Sequence, residues 1–270
     1  MGTSGSYSGS GGKIGDGLRE GMGDWIDSIP SGPAQGGPDQ NTPGGDQGTG
    51  PRLDPAVLLP VVSLLRPRSS GGGGDGPGGG AGGGGGAGGG GGAGKGGPRR
   101  SVGRSATTAG RAAAAAYAYR SGDAPTLERL GLNLAELNTV ADKYEIARLI
   151  VEAACGARAD STIEDYEQRL VAANVAEWVL DQEADGGPPT PEEIVRHTIA
   201  LIIADAFLSE TGEEVNNSNH AELAESEVRD AAEALAERPT LSVAEVTEAE
   251  FTQAIEDGIE ALRAIYEEAS

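Results

Sequence analysis

The chain has 270 residues with 46 glycines and 15 prolines, and its 42 acidic against 20 basic side chains leave a net charge of −22 at neutral pH. A charge of that sign and size disfavours non-specific contact with nucleic acid or an anionic lipid surface. One cysteine and two histidines exclude an intrachain disulfide and a Cys/His zinc site, which makes a reducing, cytoplasmic setting the expectation and leaves no metal or cofactor implied.

No apolar run approaches the ~20 residues of a membrane span, and the first thirty residues lack the charged start and apolar core of a signal peptide. Composition divides the chain near residue 98. Residues 1–100 carry eight basic and eight acidic side chains and residues 101–270 carry 12 and 34, so the whole net charge falls on the second part. An acidic surface poor in lysine suits a high-salt cytoplasm, although GC-rich coding gives the same arginine bias. Residues 1–98 are too poor in large apolar side chains to offset their ordering entropy, and read as a disordered tail with a tether. Residues 99–270 read as one acidic, all-α domain of about six helices.

Within the first part, residues 1–15 are Gly/Ser-rich. A patch at 18–30 holds Leu18, Met22, Trp25, Ile26 and Ile29 and closes at Pro30. A second apolar island at 53–65 contains Leu58, Leu59, Val61 and Leu64, with Pro60 disfavouring a continuous helix. Apolar segments of this kind are usually covered. They either dock on the chain's own domain or serve as linear motifs for a partner. From Gly71 to Gly97, 21 of 27 residues are glycine, a flexible coil with a reach of roughly 30 Å. Gly94-Lys95-Gly96 lacks the Ser/Thr of a phosphate-binding loop, and no strand precedes the run, so nucleotide binding is not implied.

The second part opens with a small-residue helix over about 99–119. Val102, Ala106, Ala109, Ala113 and Ala116 share one nearly flat face, which lets another helix approach closely. Arg100, Arg104 and Arg111 lie elsewhere on it, and Lys95 to Arg120 contains six basic residues and no acid. That run is either a nucleic-acid stripe or a docking surface for the acidic remainder of the domain. Asn133 starts the next helix, which runs to Cys155 with Gly156 as its stop. Ser161-Thr162-Ile163-Glu164 has capping-box form and predicts a helix with Ile163, Tyr166, Leu170, Ala173 and Trp178 inward. Thr190-Pro191-Glu192-Glu193 is a stronger start signal, followed by Ile194, Val195, Leu201, Ile202 and Leu208, with Gly212 as the stop. A helix over 220–237 turns Leu223, Val228, Ala231 and Leu235 inward. Thr247 to Glu250 caps the last, which carries Phe251, Ala254, Ile255, Leu262, Ile265 and Tyr266.

Catalytic patterns are lacking. The paired carboxylates Glu164/Asp165, Glu192/Glu193, Glu213/Glu214 and Glu267/Glu268 are adjacent in sequence and so do not converge on a helix. His197 has no nucleophile paired with it in sequence and reads as a packed or surface histidine. His220 reads as exposed, and Cys155 as a small buried residue. The N-terminus is the remaining candidate, where Gly2 permits removal of Met1 and leaves an unhindered α-amine. Met1 to Ser6 also satisfies a weak myristoylation pattern.

Met1-Gly2-Thr3-Ser4-Gly5-Ser6-Tyr7-Ser8-Gly9, the Trp25-Ile26-Asp27 patch, a Gly/Pro linker, a helix with Arg104-Ser105-Ala106 and an acidic helical remainder resemble the QatB family. The nonapeptide is the closest part of the likeness, and the rest agrees in layout. Qat systems are bacterial and archaeal anti-phage systems that join such a protein to an ATPase, a QueC-like enzyme and a TatD-like nuclease. QueC enzymes use ATP to activate a 7-deazaguanine carboxylate and join it to ammonia. The resemblance therefore implies a non-enzymatic component that is partner and N-terminal conjugation substrate of the QueC-like enzyme. Gly2 would be the acceptor, with Thr3, Ser4, Ser6 and Tyr7 recognised around it. Two other expectations stand beside it: an adaptor that recruits the ATPase or nuclease through Trp25, Ile26, Leu58, Leu59, Val61 and Leu64, and a nucleic-acid sensor acting through Arg100, Arg104 and Arg111.

Overall fold

The computed structural model describes residues 12–30, 51–66, 100–156, 163–182, 188–243 and 246–269. In chain order these form α1 (Gly12–Ser28), α2 (Pro55–Leu58), a 3-10 helix (Leu59–Leu64), β1 (Leu65–Arg66), β2 (Arg100–Ser101), α3 (Val102–Ser121), α4 (Ala124–Arg129), α5 (Leu134–Leu137), α6 (Lys143–Cys155), α7 (Ile163–Asp181), α8 (Pro191–Asn217), α9 (Ala221–Ala236) and α10 (Glu248–Ala269). The fold is all-α, as predicted, and the six expected helices of the second part correspond to α3 and α6–α10.

Helix α3 and the 27-residue α8, about 40 Å long at 1.5 Å per residue, are the two axes of the fold. α3 packs on α10, α7 and α6, and α8 packs on α9, α1, α7 and α10. The flat face of α3 is fully covered: Val102, Ala106, Ala109, Ala113 and Ala116 are all buried. It brings α10 so near that a Cβ built on Gly110 would lie 2.7 Å from Thr252 Oγ1 and 3.0 Å from Thr252 N.

The capping signals specify helix starts well, because they are local. Thr190 N donates to Glu193 Oε2 at 2.7 Å and Glu193 N donates to Thr190 Oγ1 at 3.3 Å, with Pro191 at the first turn. Gly156 ends α6 at a φ of 67°, a conformation that favours glycine. Ser161 and Thr162 of the other capping box, and the side chain of Ile163, lie outside the described residues.

Four expectations need correction. Helix α8 runs through Gly212 to Asn217, because Thr211 and Val215 continue its buried face and packing outweighs the ~1 kcal/mol that glycine costs a helix. The single helix expected from Asn133 to Cys155 is two, α5 capped by Asn133 and α6 restarted by Asp142, whose side chain accepts from Tyr144 N at 3.0 Å. Helix α4 was not foreseen, although Asp123 caps it and Pro125 sits in its first turn. The inward face of α7 is Val171, Ala172, Val175, Ala176 and Val179, while Tyr166 and Leu170 are 68% and 44% exposed. The face that α7 buries is therefore one of Val and Ala, and its main packing partner is the flat α3.

The largest correction concerns the first part of the chain. Leu18, Met22, Trp25 and Ile29 are buried, and so are Leu53, Leu58, Leu59, Val61, Val62 and Leu65, all in one core with α3–α10. α1 lies on α8 and on the 3-10 helix. Trp25 Nε1 donates to Pro51 O at 3.1 Å, and Leu53 N donates to Glu227 Oε2 at 3.0 Å on α9. Arg19 reaches between Asp16 of its own helix and Glu210 and Glu214 of α8. The boundary at 98/99 therefore does not separate tail from domain, since the core draws on both sides of the glycine run. In the chain the run lies between β1 and β2, which pair in parallel with Leu65 opposite Arg100 and Arg66 opposite Ser101.

Candidate functional site

Gly2, Thr3, Ser4, Ser6 and Tyr7 lie outside the described residues. Trp25, Leu58, Leu59 and Val61 are core residues, with Ile26 and Leu64 packed half-buried against them. These six are structural, so the docking alternative accounts for both apolar segments. Of the expected basic stripe, the side chain of Arg100 lies outside the described residues. Arg111 Nε lies 3.4 Å from Glu248 on α10, Arg104 is exposed near the start of α3, and the backbone of Arg100 belongs to β2. Cys155 is half-buried at the end of α6.

The structure assembles a different group that sequence left scattered. A recess of about 590 Å³ is lined by Trp178, Glu193, Arg196, His197, Glu233, Ala236 and Glu237. Each wall follows from helix periodicity. The Thr190 cap fixes the start of α8 and so places Glu193, Arg196 and His197, at i, i+3 and i+4, on one face. α9 presents Glu233, Ala236 and Glu237 by the same spacing, and α7 supplies Trp178 from its last turn.

The His197 ring stacks on Trp178 with centroids 4.3 Å apart and planes inclined by 16°. Its Nδ1 stands 3.6 Å from Glu233 Oε1, too long for a hydrogen bond. Burial pushes the imidazole down to about 4, so at neutral pH the ring is uncharged and its contact with Glu233 is not an ion pair. Glu193 is held below the ordinary carboxylate range by the Thr190 backbone N–H and hydroxyl, with Arg196 adding to the effect. Glu233 is pushed up by partial burial, then by the like charges of Asp230 and Glu237. Arg196 Nε is buried without a hydrogen-bond partner. A stacked aromatic pair, three carboxylates and one guanidinium line the recess, and the lining contains no hydroxyl or thiol to act as a nucleophile.

The sequence does not reveal this group, because Trp178 fits a core position in it and nothing near His197 in the chain pairs with the imidazole. One signal was available: only nine residues link α7 to α8, which limits how far the end of the first can lie from the start of the second. No such signal points to Glu233, which joins through the packing of α9 on α8.

Among the described residues, no group of three or more His, Cys, Asp or Glu side chains is placed to hold a metal ion, and no helix is long and apolar enough to cross a membrane. Comparison of the chain with family models, with curated proteins and with solved structures finds no match.

Proposed function

We propose that the chain is a non-enzymatic component of a Qat-type anti-phage defence system, acting as the protein partner of a QueC-like enzyme and as its N-terminal conjugation substrate. Its support is the nonapeptide Met1 to Gly9 standing immediately ahead of a helix that is anchored in the core through Leu18, Met22 and Trp25. After loss of Met1 the amine of Gly2 is ten residues from Gly12, which bounds its reach at about 35 Å from the start of α1. The leash on the acceptor is therefore short, and the long glycine run does not contribute to it.

The chemistry suits an α-amine. Its ordinary pKa of about 7.7–8.0 leaves a substantial free-base fraction at neutral pH, whereas lysine at about 10.4 has almost none. The amine nitrogen forms a bond to the ATP-activated carboxyl carbon, the activating group leaves with its bonding electron pair, and the nitrogen sheds a proton to give an amide. This is the ammonia reaction with a protein amine in its place.

The adaptor alternative loses its apolar handles, since Trp25, Leu58, Leu59 and Val61 are committed to the core. Contact with the ATPase and the TatD-like nuclease is part of the proposal and needs another surface. Intact mass of the chain co-expressed with its neighbouring genes tests the assignment. A mass increase confined to the N-terminal peptide and lost when the QueC-like enzyme is omitted is expected. An N-terminal peptide of unchanged mass in the presence of an active enzyme and ATP overturns it.

A further inference from the structure

The recess between α7, α8 and α9 is short of one cation. Glu233 and Glu237 stand one turn apart on α9, and among the described residues neither has a basic partner. The imidazole stands 3.6 Å from Glu233, and Asp230 adds a further negative charge beside it. The one cation in the lining, Arg196, lies on the α8 side close to Glu193. His197 cannot make up the deficit, because its burial keeps the ring neutral. Solvated carboxylates on an open helix face would call for no explanation. These two border a concavity whose volume lies within the range of small-ligand sites, roughly 300–1,000 Å³, and whose other wall is the stacked Trp178–His197 pair.

We propose that this recess binds a guanidinium cation, laid against the stacked Trp178–His197 pair with its fork of N–H donors on Glu233 and Glu237. Flatness and charge together select the ligand class. A guanidinium is planar, stacks on aromatic surfaces and offers paired donors to carboxylates, whereas an ammonium is a strongly hydrated point charge that gains less from a flat wall. The cation belongs either to an arginine side chain of a partner protein or to a small guanidino compound, and the two differ in what lies beyond the head group.

The test uses the full-length chain carrying His220→Gln, so that the ring protons of His197 give the one histidine signal, and follows that signal by NMR. The probes are N-acetylarginine methylamide for a protein-borne arginine, agmatine for a free guanidino compound, and N-acetyllysine methylamide as the ammonium control. A saturable shift with a dissociation constant of about 1 mM or tighter is expected for a guanidinium probe, with the lysine probe at least about fivefold weaker. Glu233→Gln with Glu237→Gln weakens binding about tenfold. Both positions are exposed, so the fold tolerates the change. Glu225→Gln, which makes the same charge change at a residue paired with Arg229, leaves binding as it was. Tighter binding of the capped arginine assigns a protein partner, and tighter binding of agmatine assigns a small molecule. No saturable shift with either guanidinium, equal binding of the lysine probe, or full binding by the double variant overturns the proposal.

Discussion

Replacing Gly110 by alanine tests the closest helix contact in the fold and pits two effects of opposite sign against each other. Alanine in place of a mid-helix glycine stabilises a helix by about 1 kcal/mol through propensity alone. At Gly110 the added Cβ would meet Thr252 Oγ1 at 2.7 Å, Thr252 N at 3.0 Å and Thr252 Cα at 3.3 Å. Two of those atoms are backbone of α10 and cannot swing aside, and the hydroxyl is engaged with Glu248 O at 2.8 Å. Relief requires α3 and α10 to separate along a face of fully buried alanines, an overpacking cost of about 1–3 kcal/mol. The expected net is a loss of about 1 kcal/mol. Gly23→Ala on α1, where nothing lies within 4 Å of the new Cβ, supplies the propensity gain alone, so the two variants should differ by about 2 kcal/mol. Urea unfolding at equal slope reads the difference as a shift in midpoint. A Gly110→Ala variant as stable as the parent, or more so, would refute the close-approach reasoning.

Trp25→Ala should cost about 3–5 kcal/mol in the same assay, whereas deletion of residues 1–9 should leave the midpoint in place; equal effects would return the 18–30 patch to the tail. His197 carries a pH dependence of definite sign. Its folded pKa of about 4 lies below the ordinary 6.5, so on acidification the unfolded chain takes up the proton first and stability falls as pH drops from 6.5 towards 4, by up to about 3 kcal/mol. Glu233, with its folded pKa raised, works in the opposite direction, and the difference between the parent and His197→Gln isolates the histidine. An NMR titration giving His197 a pKa at or above 6 would contradict the burial described for it.

What could be read from the chain was local. The Thr190–Glu193 box and Gly156 mark helix ends through atoms within a few residues of each other, and the flat face of α3 follows from spacing alone. What could not be read depended on neighbours. Helix α7 is apolar on two sides, and the choice between its Val/Ala face and its Tyr166/Leu170 face is made by its packing on α3, α6 and α8. α1 has five glycines in 17 residues, a composition that argues against a helix until Leu18, Met22 and Trp25, at spacings of 4 and 3, are given α8 to pack on. The stacked Trp178–His197 pair needed only a short link between helices, but the carboxylate beside it comes from a helix about ten turns further along the chain.

The β1–β2 pairing changes what the glycine run is for the molecule. The described residues that bracket it in the chain are held side by side, Leu65 opposite Arg100, so the described core sets no minimum length for the chain between them. Closing such a loop becomes costlier only as the logarithm of its length, about 0.6 kcal/mol for each doubling. Its length can therefore drift through expansion and contraction of a glycine-coding repeat at almost no cost to the fold. The same pairing marks the segment between β1 and β2 as the place to graft a foreign domain, because its entry and exit strands already lie side by side.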